Sequence, residues 1–352
     1  MPLSALQPPI VDPTSIFEHF RGSYGSELLT SAVSAFDLFG RLANSARSEE
    51  ELRRELGLEI RPATVLFTAL RAMGLLGNDA QGRLQLTLLS REHLVPGAPF
   101  DVSGYIRLGA DSPGVKEMTT RLRTNRPAGA ADEKGTAFIF REGIESAMER
   151  EASARFLTMA LAGRAKNVAP HLARTIDLSS LKPKANAILL DIGGGTGIYS
   201  IALVQANPDL RAIVWDRPEV LKVAREMADA YGVAERMEFV PGDMFADSVP
   251  SADVMLLSNV LHDWDVPECQ TLIQRCAASL PMGGQLFIHD VFLNDAMDGP
   301  LPVALYSAAL FSLTEGRAYS LAEYQQWLTE AGLRLGQIRP TLIHCGVLEG
   351  MK

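Results

Sequence analysis

The chain has 352 residues, 47% hydrophobic and 21% charged, with a formal net charge of −9. That length holds two or three cores, and the composition is that of an ordinary water-soluble globular protein. The acidic balance argues against a protein that grips a nucleic-acid backbone through a basic face, so no nucleic-acid partner is expected.

Three cysteines, Cys269, Cys276 and Cys345, are odd in number and fall outside metal-ligand spacing, so a reducing, cytoplasmic setting is expected. The opening Met-Pro-Leu-Ser-Ala-Leu lacks a basic segment followed by an apolar run, and no signal peptide is read there. The most apolar stretch, 300–313, is broken by Ser307 and Ser312 and falls short of the ~20 residues of a membrane span. A buried helix is expected instead, and no membrane partner.

Up to about residue 180 the patterns are mostly helical. Leu29, Ala32, Val33, Phe36 and Phe39 recur at helical spacing and make one apolar face. A short helix is expected at 49–56. Pro62 opens another, with Val65, Leu66, Ala69, Leu70 and Met73 along one side. Gly77-Asn78-Asp79 reads as a turn, and Arg83-Leu-Gln-Leu-Thr87 alternates as a strand should. Helix, helix, hairpin is a winged-helix pattern. DNA binding is its obvious reading, but Glu49, Glu50, Glu51, Glu55 and Glu59 stand against Arg53, Arg54, Arg61 and Arg71. Phosphate contacts gain little from such a surface, so packing or dimerisation is the expected role.

The stretch 104–175 reads as helices separated by a polar loop at 126–135. Phe138, Phe140, Met148, Phe156 and Met159 are spread through it. Core packing is the default for each, although soft and aromatic side chains also suit a pocket for a flat apolar substrate. Leu181-Lys-Pro-Lys-Ala reads as a linker, which divides the chain into 1–103, 104–180 and 181–352.

Strands near 187–191, 211–216, 236–240, 253–259 and 284–291 alternate with helical patterns. This predicts an α/β architecture, a parallel sheet with helices on both faces and ligands at the carboxyl ends of the strands. The first strand ends in Asp191 and breaks into a loop with glycines at 193, 194, 195 and 197. The second ends in Asp216, at a spacing suited to gripping two ribose hydroxyls. The third ends in Gly242-Asp243-Met244-Phe245. A dinucleotide fingerprint would need a third glycine where Ile198 or Ser200 stands, so a nicotinamide cofactor fits imperfectly. The fourth strand runs through Ser258 into Leu261-His262-Asp263-Trp264. A histidine there stands on the ligand rim as a candidate base, or else simply starts a helix with Asp263 as its cap.

The pattern Asp191-x-Gly-Gly-Gly-x-Gly197 resembles motif I of the S-adenosylmethionine-dependent methyltransferases. Gly242-Asp243-Met244 looks like their adenine-binding segment. Leu261-His-Asp-Trp264 is similar to the signature of the small-molecule O-methyltransferases of the caffeic acid and polyketide-tailoring type. The likeness extends over the whole chain. It implies a class I, Rossmann-like doubly wound sheet preceded by a mainly α-helical, winged-helix dimerisation domain, and a homodimer. It also implies S-adenosylmethionine as cofactor, held by Asp191, Gly193, Gly194, Gly195, Asp216, Gly242, Asp243, Met244, Phe245 and Ser258.

In that family the residue matching His262 is the general base, and one supporting acid matches Asp290 in Phe287-Ile-His-Asp290. The other acid lies in a Gly-Lys/Arg-Glu-Arg-Thr segment. Here Gly316-Arg-Ala-Tyr-Ser320 puts Ala318 in its place, and Glu315 is the candidate substitute. Ser258 also departs from the lysine usual in plant members. The expected acceptor pocket draws on Phe138, Met148, Met159, Trp264, Tyr306 and Phe311. No metal is expected, because strand neighbours His289 and Asp290 should point to opposite faces.

The expected reaction is methylation of a hydroxyl on a small aromatic metabolite, in secondary metabolism. Competing readings are C-methylation of an enol, keto acid or phenol, and hydroxylation or decarboxylation on the same scaffold. A winged-helix regulator that senses a nucleoside is a third.

Overall fold

A computed structural model of the chain describes residues 2–126, 151–178 and 186–352. They form two compact units, each assembled from separate stretches. One contains 16–126 and 293–320; the other contains 2–15, 151–178, 186–292 and 321–352.

The first unit is mainly helical. α1 (Thr14–Arg21) leads into α2 (Ser23–Ser34) and α3 (Leu38–Leu42). The apolar face predicted through 29–39 is divided between α2 and α3, because Asp37 takes a φ of 47° and ends the helical run. Val33 and Phe36 are packed with Leu28 and Phe39 inside this unit's own core.

α4 (Glu49–Leu56) has a capping box between Ser48 and Glu51, three glutamates at its positive end, and Gly57 as a left-handed cap. α5 (Ile60–Ala72) starts two residues before Pro62 and buries Val65, Leu66, Ala69 and Leu70. β1 (Leu76–Asn78) and β2 (Leu84–Leu86) then pair as an antiparallel hairpin. Gly77 and Asn78 are therefore strand residues. The turn comes later, where Asp79 Oδ1 accepts the amide protons of Gln81 and Arg83.

α6 (Leu88–His93), α7 (Ser103–Arg107) and α8 (Pro113–Thr124) follow. The chain returns to this unit through the helix Leu301–Leu313, which packs on α5 and α2. Arg61, buried in α5, donates to the Thr314 carbonyl at 3.0 Å and to the Asn125 carbonyl at 2.9 Å.

The second unit is α/β. Its elements begin with α9 (Glu151–Thr175), β3 (Ala187–Ile192), α10 (Ile198–Ala206), β4 (Leu210–Asp216) and α11 (Pro218–Ala230). β5 (Met237–Pro241), β6 (Val254–Ser258), α12 (Val266–Ser279) and β7 (Gln285–Leu293) complete the predicted alternation. The helix Leu301–Leu313 is α13 and Tyr319–Ser320 is β8, both in the helical unit. α14 (Leu321–Glu330), β9 (Arg334–Leu335), β10 (Arg339–Pro340) and β11 (Cys345–Met351) close the α/β unit.

The strands run in the order β10–β11–β7–β6–β3–β4–β5. β5, β4, β3, β6 and β7 are mutually parallel, and β11 is antiparallel to β7 from Cys345 opposite Val291 to Met351 opposite Gln285. The sheet is thus mixed rather than wholly parallel. All of β6 is buried, as a strand covered on both faces must be, which explains its continuous apolar run.

Strand order reverses between β3 and β6. Right-handed crossovers then put α10 and α11 on one face and α12 on the other. In agreement, α10 and α11 pack with α9, while α12 packs with α14. The crevice at that reversal is where such sheets bind ligands. Among the described residues, no helix is long and apolar enough to cross a membrane.

Candidate active site

Three neighbouring strand tips build the predicted nucleoside end of the site. At the tip of β3, Asp191 is fully buried; its Oδ2 accepts the Ser200 hydroxyl at 2.6 Å. Its Oδ1 has no hydrogen-bond partner among the described residues, and burial pushes the carboxyl up to about 7. Gly194 lies so close above that a Cβ there would fall 2.7 Å from the Asp191 Cγ and 2.9 Å from Val214. Gly195 differs: its φ is +59° and a Cβ would point into open space. The loop is closed toward Asp191 and open where a ligand would lie.

Asp216, at the tip of β4, holds that loop in place. Its Oδ2 accepts the Gly195 N–H at 2.9 Å and its Oδ1 accepts the Arg217 N–H at 2.7 Å. Burial raises its pKa, opposed by those two amide bonds. At the tip of β5, the Gly242 N–H donates to the Asp216 carbonyl at 3.1 Å. Asp243 is exposed, and its Oδ1 caps the Phe245 N–H at 2.8 Å. The Met244 carbonyl accepts from Arg275 Nε at 3.1 Å. Phe245 meets Trp264 edge-to-face with ring centroids 4.9 Å apart, so Trp264 packs onto the segment at the tip of β5.

β6 and β7 supply the polar groups beyond the nucleoside end. Ser258 Oγ lies 2.8 Å from His289 Nδ1 and accepts from Asn259 Nδ2 at 3.1 Å. His289 Nε2 is 3.0 Å from the Thr341 hydroxyl. Burial, then the nearby Arg164, lowers the His289 pKa to about 3, so it is a neutral structural histidine. Arg164, on α9, donates to Asn259 Oδ1 at 2.7 Å.

His262 sits in a single helical turn, Leu261–Asp263, and is 3% exposed. Its Nδ1 is 2.5 Å from Oδ1 of the fully buried Asp290. The same oxygen accepts the Val291 N–H at 2.8 Å, while Asp290 Oδ2 accepts the Tyr324 hydroxyl at 3.1 Å. Burial pushes the imidazole down, but Asp290 and then Asp263 outweigh it, leaving the His262 pKa above its ordinary value. For Asp290, burial pushes up and His262 outweighs it, so its carboxyl stays below the usual range. Asp263, 3.7 Å from His262 Nε2, is pushed by burial up to about 6. His289 and Asp290 have different partners on opposite sides of β7, as strand alternation requires.

The other expected site residues belong to several elements of the two units. Glu315 is half-buried in the helical unit after α13. Tyr306 is half-buried on α13 with the Arg21 guanidinium 3.6 Å from its ring centroid. Phe311 is 1% exposed within the helical core, because α13 is apolar on nearly every face. Met159, on α9, is 42% exposed. Phe138 and Met148 lie outside the described residues.

Residues 136–334 match the O-methyltransferase domain family. The chain belongs to that family. It is 33% identical over 94% of its length to the 3-hydroxy-5-methyl-1-naphthoate 3-O-methyltransferase of Streptomyces sahachiroi, covering 92% of that protein. It is 30% identical over 91% of each chain to the tetracenomycin polyketide synthesis 8-O-methyl transferase of Streptomyces glaucescens. A solved O-methyltransferase family 2 protein of Planctomyces limnophilus, in complex with apigenin, matches at 45% identity and a TM-score of 0.91, over 99% of each chain.

Sequence reasoning passed over Tyr324, Arg164 and Thr341. Tyr324, Trp327 and Leu328 read only as the buried stripe of α14. The available signal was the phenol itself, since a buried tyrosine hydroxyl needs a hydrogen-bond partner.

Proposed function

We propose that this O-methyltransferase moves a methyl group from S-adenosylmethionine to the hydroxyl of a small aromatic compound, with His262 as general base. The contact between His262 and Asp290 carries the reading. A carboxylate on Nδ1 fixes the neutral tautomer in which Nε2 is the proton acceptor, and it favours the imidazolium formed when that nitrogen takes a proton.

The strand-tip residues fit the cofactor. The unsatisfied Asp191 Oδ1 and the space over Gly195 suit a ligand that brings a donor into the glycine loop, as a methionyl ammonium does. By the family pattern, Asp216 would take ribose hydroxyls, and Asp243, Met244 and Phe245 adenine. When bound, S-adenosylmethionine supplies an electrophilic methyl group. Ionising a phenol that titrates near 10 costs about 4 kcal/mol at pH 7. His262 Nε2 lowers that cost by taking the hydroxyl proton as the oxygen becomes nucleophilic. Holding the acceptor in line contributes more, since alignment is worth roughly 7–11 kcal/mol. Met159 and Trp264 are the described candidates in the α/β unit for acceptor contacts.

We also propose a homodimer in which the helix–helix–hairpin region serves packing or dimerisation. Ile16 and Phe20 of α1 are 67% and 77% exposed and supply apolar surface for it.

The test is incubation of purified protein with methyl-labelled S-adenosylmethionine and a panel of phenols, enols and keto acids. Label on the oxygen of an aromatic hydroxyl compound is the expected result. Label on carbon, or acceptor turnover with no label transferred, contradicts the reading.

A further inference from the structure

The carboxylate that orients His262 is itself held. Tyr324, on α14, has no exposed surface, and its hydroxyl donates to Asp290 Oδ2 at 3.1 Å. Its ring is fixed edge-on between Phe292, at 5.3 Å, and Trp327, at 5.4 Å. Asp290 therefore has both oxygens engaged, Oδ1 by His262 Nδ1 and the Val291 amide, Oδ2 by a neutral donor. Sequence adds a second observation. Ala318 stands where the family pattern has another acid.

We propose that Tyr324 is a positioning residue for the methyl-transfer base: its hydroxyl fixes the orientation of Asp290 and keeps that carboxylate ionised beside His262. This rests on the reading of His262 as the base. A hydrogen bond that favours a buried carboxylate makes the His262–Asp290 pair release its proton more readily. The other charged or titratable groups acting on the pair are Asp263, 3.7 Å from His262 Nε2, Arg164 across from both, and the neutral His289. None of these is altered by removing the hydroxyl.

Tyr324→Phe keeps the ring and removes the donor. Near pH 7, kcat is expected to fall by up to about tenfold, the most that a one-unit rise in the pKa of the base removes from its neutral fraction. KM for S-adenosylmethionine should stay as in the wild type. The acidic limb of the kcat profile should move up by about one pH unit, so that much of the rate returns at high pH. A merely structural tyrosine would lower kcat equally at every pH, and that outcome overturns the proposal, as does an unmoved profile with an unchanged rate.

Should the single variant fold poorly, Asp290→Asn and the double variant Asp290→Asn/Tyr324→Phe decide instead. Equal kcat in the two shows that the hydroxyl acts through Asp290; a further tenfold loss shows that it does not. His262→Ala run alongside separates the two levels. Loss of rate there with an unmoved Tyr324→Phe profile rejects the positioning role alone, whereas full rate in His262→Ala rejects the base itself.

Discussion

His262→Ala is expected to lower kcat on an unactivated phenol by about 10²–10⁴-fold, the usual worth of a positioned general base. The affinity for S-adenosylmethionine should barely change, because the glycine loop, Asp216 and the segment 242–245 do not depend on the imidazole. The loss should also depend on the acceptor. A phenol that is already ionised near neutral pH has no proton to give up, so its rate should fall far less than that of a phenol titrating near 10. Removal of the ring also leaves Asp290 buried with one charge-assisted partner fewer. A stability loss of about 1–3 kcal/mol should accompany it, visible as a lower Tm. Steady-state kinetics on two acceptors of different acidity, beside cofactor calorimetry, checks the whole pattern. Equal losses on both acceptors would mean that His262 positions substrate instead of taking its proton.

Asp290→Asn should be comparably severe, reducing kcat by up to about 10⁴-fold while leaving the shape of the site nearly intact. The amide can offer an N–H to His262 Nδ1, which places the ring proton on Nε2 and disables the base. The pH profile gives the sign. In the native site the carboxylates beside His262 hold its pKa above the ordinary value, so the base is neutral and active above that pKa, and rate falls as pH drops through it. With Asp290 uncharged, burial dominates and the acidic limb should move to lower pH. The direction is opposite to that expected for Tyr324→Phe, although both variants alter the same contact. An acidic limb that stayed in place in Asp290→Asn would assign it to a group other than His262.

The parts of this site that were legible in sequence are those whose chemistry is written into short segments. A glycine run after a buried acid, an acid at the end of the next strand and a histidine after the fourth each announce a strand tip. The structure sets them along adjacent tips of one sheet. Tyr324 was not legible, since an aromatic residue at i, i+3, i+4 spacing with Trp327 and Leu328 reads simply as core. β11 was missed because its seven residues contain two glycines, and its strand character comes from pairing with β7. The break at Asp37 was hidden by apolar spacing that continues through it from α2 into α3. Phe311 was a pocket candidate because aromatic character was the only available cue; the apolar surroundings of α13 place it in the core. That the stretch 293–320 rejoins the N-terminal helices is a long-range fact carried by Arg61 and the packing of α13 on α5, and local periodicity does not contain it.

Isothermal titration of S-adenosylhomocysteine into the purified protein is the sharpest check on the arrangement of the three strand tips. Saturable heat for that ligand, its loss in Asp216→Ala, and none for NADH are the predicted results. Binding of NADH, with no heat from the adenosyl ligand, would contradict the account at its base.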